Sequence, residues 1–546
     1  MVLIQNLRYE EDIEAELSSR RGLFRNIQIA REEYFKFGLL GAMFFIIGFI
    51  YSFMRILKDM FVMEKQDASC FNFIKIFYIL PCSFIIILGV NILLQKRSVA
   101  KILNLCLIIF ISLFIFFGTF IVFEDILMFD NSGIKNKYKD SNKFIRDLVY
   151  TLSEPIATGI YITEELWGSI ILSYLFLSYL NELCSEGQHN RFIPPLFILT
   201  SISLLVSAIV TTGMIAIKKR LDNEQLKWFM GSFFFIEAGL GIIILFLKYI
   251  LEQKVLTVPL FIPKARGIKK PKPKVSFRES IKIMLKSKFL LAMCGIVFFY
   301  NALYNLVETV YKFGIKAAAE AQHIKKSDYS AKFNNFEQYL TSIVVILLNM
   351  TSFNQLSDTR GWTFVAMISP IIGIISLVGI FGIATYNTAV ENESFSILNV
   401  LFHGSPHLIL ENILGITILS SMKIFKYSAF DVTKERISMK IEDRYRAKFK
   451  SIYDGIFNKL GKSGGSIYGI FINSIFIDID PRQASPITSI IGAIFIFLWV
   501  SGIYYLGSNY NSAVQNNASI DIDLMDDEST TEIEVTKKTK EITLPQ

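Results

Sequence analysis

The chain has 546 residues, 52% of them hydrophobic and 14% aromatic, with 49 phenylalanines, a mean hydropathy of +0.44 and a formal net charge of +8. The apolar residues come in runs of about 20, the length that crosses a hydrocarbon layer, which excludes a string of soluble domains. The five cysteines lie scattered in or beside those runs, so neither a disulfide framework nor a zinc site is expected.

Residues 1–36 form a charged head with Arg20, Arg21, Arg25 and Arg31 and no cleavable signal, expected to stay on the cytoplasmic side. A first set of spans is predicted at 37–54, 73–94, 102–123, 161–180, 192–217 and 229–250, making a first half over 37–250. Residues 251–288 are basic and contain prolines, as a cytoplasmic linker would. A second set is predicted at 289–310, 336–352, 363–385, 404–422, 464–479 and 486–507, making a second half over 289–507. "HGSPH" interrupts the tenth of these, and the eleventh is short. Residues 508–546 are polar and acidic with no apolar periodicity, as a disordered tail would be. The expected fold is therefore an all-α polytopic membrane protein of about twelve helices in two six-helix halves, laid out like a major-facilitator transporter.

Charge inside a span costs about 2.5–3.5 kcal/mol on insertion scales, so polar residues there mark candidate sites. Four clusters stand out. Arg55, Lys58 and Asp59 end the first predicted span, and Glu164 and Glu165 fall in the fourth. Asn301, Asn305, Glu308 and Lys312 recur at i, i+4, i+7 and i+11 in the seventh, one stripe of a helix flanked by Tyr304 and Tyr311. Lys423, Lys426 and Asp431 follow the tenth. In the major-facilitator layout these four spans line the central path, an analogy of arrangement. The mixture of lysines and carboxylates points to an anionic substrate, with the carboxylates binding substrate donors, pairing with lysines or carrying protons. Each residue also has a plainer reading. The asparagines can be interhelical hydrogen-bond glue, Glu165 an interfacial acid at a helix start, and Lys58 a snorkelling lysine at a helix end.

"LGKSGGS" (Leu460 to Ser466) looks like a phosphate loop, but five residues separate Gly455 from Gly461, and no apolar strand leads in. The nucleotide-hydrolase pattern needs four, so a Walker-type ATPase is excluded. Two readings stay open: an anion cradle of Gly461, Gly464 and Gly465 N–H groups at a helix start beside Lys462, or a simple loop-to-helix turn. The four histidines have no metal spacing, and no catalytic cluster is visible, so no enzyme, cofactor or nucleic-acid partner is expected.

At these same residues the chain resembles the ATP/ADP translocase family of nucleotide transporters from obligate intracellular bacteria, plastids and microsporidia. "RILKDMFV", "TEELWGSIILSYLF", "NALYNLVETVYK", "RGWTFVAMISPII", "KIFKYSAFDVTKE" and "LGKSGGS" follow in family order, and the Glu-Leu-Trp-Gly-Ser stretch is the most specific. Residues 60–69 and the connection between the tenth and eleventh spans depart from the family pattern. The resemblance implies twelve spans and exchange of ATP for ADP, with some members moving nucleotides with protons. Carried over by motif, it implies functional charges at Lys58, Glu165, Glu308 and Lys462. Together with Asn301, Asn305 and Lys426 these are the expected substrate-binding residues. The implied partners are ATP and ADP, with other purine nucleotides, phosphate or protons as alternatives, and the lipid bilayer. The Ile-, Lys-, Asn- and Phe-rich composition fits a microsporidian-like member, with import of host ATP across the parasite's plasma membrane or the membrane of a reduced mitochondrion. A proton-coupled purine nucleotide importer and a symporter of another organic anion remain as alternatives.

Overall fold

The computed structural model describes residues 8–18, 29–94, 96–127, 131–260, 284–351, 356–391, 404–441, 449, 451–475, 480–516 and 520. The long helices run α1 Arg31–Lys65, α2 Cys70–Val90, α3 Val99–Val122, α4 Pro155–Leu183, α5 Arg191–Lys218, α6 Asn223–Val255, α7 Lys288–Ala321, α8 Lys326–Met350, α9 Trp362–Glu391, α10 Leu408–Ser438, α11 Asn458–Ile475 and α12 Pro481–Gln515. Ten of them are long and apolar enough to cross a membrane; α8 and α11 are packed into the same bundle but are more polar. The outer surface is apolar: Ile85, Ile109, Phe116, Val378, Ile490 and Phe497 all stand exposed. A surface of that kind fits lipid as the solvent, since helices satisfy their backbone groups internally.

The helices overrun the predicted spans at their charged ends. α1 continues past Met54 to Lys65, so Arg55, Lys58 and Asp59 lie within the helix rather than at a span end. α4 starts at Pro155, placing Glu164 and Glu165 a full ten residues in and ruling out the helix-start reading of Glu165. Pro155 suits the first helical turn because its missing N–H would have had no partner there. α10 carries on through Lys423, Lys426 and Asp431, and α12 continues beyond Gly507 to Gln515. The reason is common to the first three: hydropathy counts each charge against the membrane, whereas the fold sets most of them against opposite charges. Between α3 and α4 lie short helices at Ser132–Tyr138 and Lys143–Ser153, the latter N-capped by Asn142 accepting from the Phe144 N–H. Most of the basic linker and the end of the acidic tail lie outside the described residues.

Two apolar cores form. One draws almost entirely on residues between Ile29 and Val255. The other draws on Met284 to Ile520, and also takes in Val62 to Ile79 and Tyr161 from the first part of the chain. Close helix approach uses small residues, as expected where lipid offers no hydrophobic drive between helices. A Cβ on Gly231 of α6 would come within 3.0 Å of the Gly118 carbonyl of α3, and one on Gly48 of α1 within 2.6 Å of Ser203 Oγ of α5. Trp167, fully buried, donates its indole N–H to the Ile47 carbonyl at 3.1 Å and so ties α4 to α1.

Candidate functional site

Side chains of α1, α4 and α11 meet around Lys58 and Glu165. Lys58 is 5% exposed. Its ammonium donates to Glu165 Oε1 at 2.7 Å and also to Glu164, and it lies 4.4 Å from the Tyr161 ring centroid. The other Glu165 oxygen is 3.9 Å from Lys462 Nζ on α11, a side chain still 41% open. One turn earlier on α11, Lys459 donates to Ser169 Oγ of α4 at 2.6 Å. The structure thus brings Lys58, Glu165 and Lys462 together. Immediately after the two glutamates the backbone widens into π-helical turns over Trp167–Leu175. Lys75 and Lys426 each open another such segment. Widened turns of this kind recur at functional sites because they shift side chains out of register.

Glu308 belongs to a neighbouring network. One of its oxygens accepts from Lys75 of α2 at 2.7 Å, and the other lies 3.5 Å from Lys312. Lys312 also donates to Asp59 of α1 at 3.2 Å and stands 3.6 Å from the Phe71 ring centroid. Lys316 pairs with Asp67 at 2.7 Å. Apart from the Glu308–Lys312 pair within α7, these contacts join α7 to α1, to α2 or to the connection between them. Glu308 therefore has lysine partners on two helices, which is the lysine-pairing reading of the carboxylates.

Asn301 and Asn305 stand where α7 meets α11, 3% and 1% exposed. Asn301 donates to the Val297 carbonyl at 2.7 Å, and Asn305 Oδ1 accepts from Ser466 Oγ at 3.1 Å. α11 continues directly from π-helical turns over Ser451–Phe457, so the glycines opposite the asparagines lie inside a continuous helix and not at its start. The anion-cradle reading of Gly461, Gly464 and Gly465 therefore fails, because their N–H groups point along a continuing helix. Their use is close approach: a Cβ on Gly461 would meet the Phe298 carbonyl oxygen at 2.6 Å, and one on Gly465 the Ala302 carbonyl oxygen at 2.9 Å. Both obstacles are backbone and cannot step aside. Gly461→Ala should lower the yield of monodisperse detergent-solubilised protein and its melting temperature, by about 1–3 kcal/mol of overpacking. Gly464→Ala, which meets only the Phe298 ring at 3.3 Å, should be milder. Equal melting temperatures for the two variants would contradict this role.

Lys426 on α10 lies 5.7 and 5.6 Å from the Tyr300 and Tyr427 ring centroids, and no carboxylate among the described residues pairs with it. Lys423, one turn earlier, reaches Glu337 of α8. Arg55 Nη2 of α1 donates to the other Glu337 oxygen at 2.5 Å. Lys75, Lys459 and Glu337 did not emerge from the sequence. Lys75 had a signal, being the one charge in "CFNFIKIFYILPCSFIIILGV" (Cys70 to Val90). Glu337 sits in a helix whose mixed polarity hid it.

Taken together, these side chains line helices of both cores with ammonium and guanidinium groups, several held by carboxylates and some not. Such a set can bind a polyanion and can exchange ion pairs between helices. The family model for the TLC ATP/ADP transporter matches residues 12–510. The chain is 44% identical over 532 residues to ADP,ATP carrier protein 1 of Encephalitozoon cuniculi, covering 95% of this chain and 94% of that one. It is 28% identical over 525 residues to ADP,ATP carrier protein 1 of Paranosema grylli, covering 94% and 95%. It is 27% identical over 500 residues to ADP,ATP carrier protein 1 of Rickettsia prowazekii, covering 90% and 96%. Among solved structures, the fucose:proton symporter of E. coli aligns at 13% identity with a TM-score of 0.44, covering 86% of this chain and 99% of that one.

Proposed function

The chain belongs to the TLC ATP/ADP transporter family, and from that premise we propose that it is a membrane carrier exchanging ATP for ADP, importing host-derived ATP into an intracellular parasite. The proposed frame is twelve spans in two six-helix halves, over 37–250 and 289–507, joined by the basic linker. One observation carries the reading: Glu165 sits between Lys58 of the first core and Lys462, so the cations of α1 and α11 face a common point. A nucleotide's phosphates placed there would take over lysines that Glu164 and Glu165 now hold. Lys58 and Lys462 are assigned to the phosphates, Glu165 to holding the lysines in register. Asn301 and Asn305 act as positioning residues for α11, which carries Lys462. Ion pairs that join α7 to α1 and α2, such as Lys312 with Asp59 and Lys75 with Glu308, would have to break and re-form as access alternates. The plasma membrane is the proposed location.

Uptake of labelled ATP, ADP, GTP and glucose by cells expressing the full chain tests the reading. ATP and ADP should enter and compete with each other, and preloaded ADP should accelerate ATP entry. Uptake of glucose, or indifference to both adenine nucleotides, would remove the proposal.

A further inference from the structure

Glu337 shares with Glu165 and Glu308 a different cation on each oxygen, but is far more deeply buried than either. Its side chain is 4% exposed, and each of its oxygens holds a different cation: Arg55 of α1 at 2.5 Å and Lys423 of α10. Arg55 lies three residues before Lys58, and Lys423 three before Lys426, so each sits on the same helix face as its neighbour, about 5–6 Å apart at the Cβ atoms. That is the reach of a short phosphate chain. The Arg55 fork is mostly unspent: among the described residues its one hydrogen bond runs from Nη2, and 22% of the side chain is open. A planar guanidinium suits phosphate as well as carboxylate. Tyr427, half exposed, lies beside Lys426, whose ammonium is 5.6 Å from its ring centroid. The Tyr304 ring centroid lies 5.6 Å from the Lys423 ammonium. In this part of the bundle Arg55, Lys58, Lys423, Lys426, Lys459 and Lys462 outnumber Glu164, Glu165, Glu337 and Asp431 by two charges. An empty site of such charge is costly unless a carboxylate occupies part of it.

We propose that Arg55 and Lys423 form a second phosphate-binding pair, and that Glu337 is the built-in anion that a nucleotide displaces from it. The inference rests on the carrier reading above and adds to it a determinant of selectivity for phosphate number. The pair sits one helical turn from Lys58, so an extended di- or triphosphate spans both sites while a monophosphate fills one. Glu337 sets the threshold: it yields to a second phosphate tethered to one already held at Lys58, and a lone monophosphate has no such tether.

The test is equilibrium binding of ATP, ADP and AMP to the purified full chain and to Glu337→Gln. The variant should bind ATP about tenfold more tightly, AMP by a much smaller factor, and should turn over more slowly because the anion leaves more slowly. Glu337→Gln binding ATP no more tightly than wild type, or shifting ATP and AMP alike, would overturn the proposal. Lys423→Gln serves as the second variant, and decides the matter if the first does not fold. It should weaken ATP about tenfold and AMP little; equal weakening of both rejects the pair. Wild type binding neither ATP nor ADP would sink the carrier reading and this inference with it. Wild type binding both, with neither variant shifted, sinks this inference alone.

Discussion

Lys58→Ala should cut nucleotide uptake by at least a hundredfold in cells that still insert the protein. The Lys58 ammonium is the shared partner of Glu164 and Glu165, and Glu164 is 1% exposed. Removing one member of a buried pair costs about 3–5 kcal/mol, because the other charge stays behind unpaired. Loss of uptake could then reflect either a weakened bundle or a missing phosphate ligand. The double change Lys58→Ala with Glu164→Gln separates the two. It removes the stranded carboxylate, so the protein should recover its melting temperature while uptake stays low. Recovery of uptake along with stability would mean that Lys58 only neutralises Glu164. Lys58→Arg keeps the charge but asks a longer, planar group to fit beside Tyr161, so partial uptake is expected.

Glu308→Gln should lower both uphill accumulation and ATP/ADP counterflow, together and by about ten- to a hundredfold. The question behind it is how exchange is driven. ATP carries about one more negative charge than ADP, and one charge across 100 mV is about 2.3 kcal/mol. Against an inside-negative membrane, ATP entry for ADP exit runs uphill electrically, so a nucleotide gradient, co-moved phosphate or protons must supply the difference. A proton-carrying carboxylate needs a state in which its negative charge is not held. Glu308 has two ammonium groups beside it, Lys75 at 2.7 Å and Lys312 at 3.5 Å, which stabilise the charged form. A glutamine there releases Lys75, while Asp59 keeps Lys312 in place. Both transport modes need that α2 to α7 contact, so both should suffer. Vesicles preloaded with ADP and assayed with and without a pH gradient give the measurement. Counterflow surviving while net accumulation disappears would show that Glu308 serves protons after all.

Runs of about 20 apolar residues determined from sequence alone that the chain is a polytopic membrane protein, because only a bilayer makes so many such runs stable. The cost of burying charge likewise picked out Lys58, Glu165, Glu308 and Lys426 without any coordinates. Periodicity can show that Asn301, Asn305 and Glu308 share a face; it cannot say what that face meets. Only tertiary structure decided that α11 glycines meet the asparagines. The same holds for Glu337, which joins Arg55 across 282 positions, and for Lys75, which joins Glu308 across 233. It also settled the glycines of "LGKSGGS": no local pattern distinguishes a glycine that exposes its N–H from one that lets another backbone come close. The ends of α1 and α10 were lost for the same reason. A charge reads as a span boundary until the opposite charge that keeps it inside the bundle arrives from a distant helix.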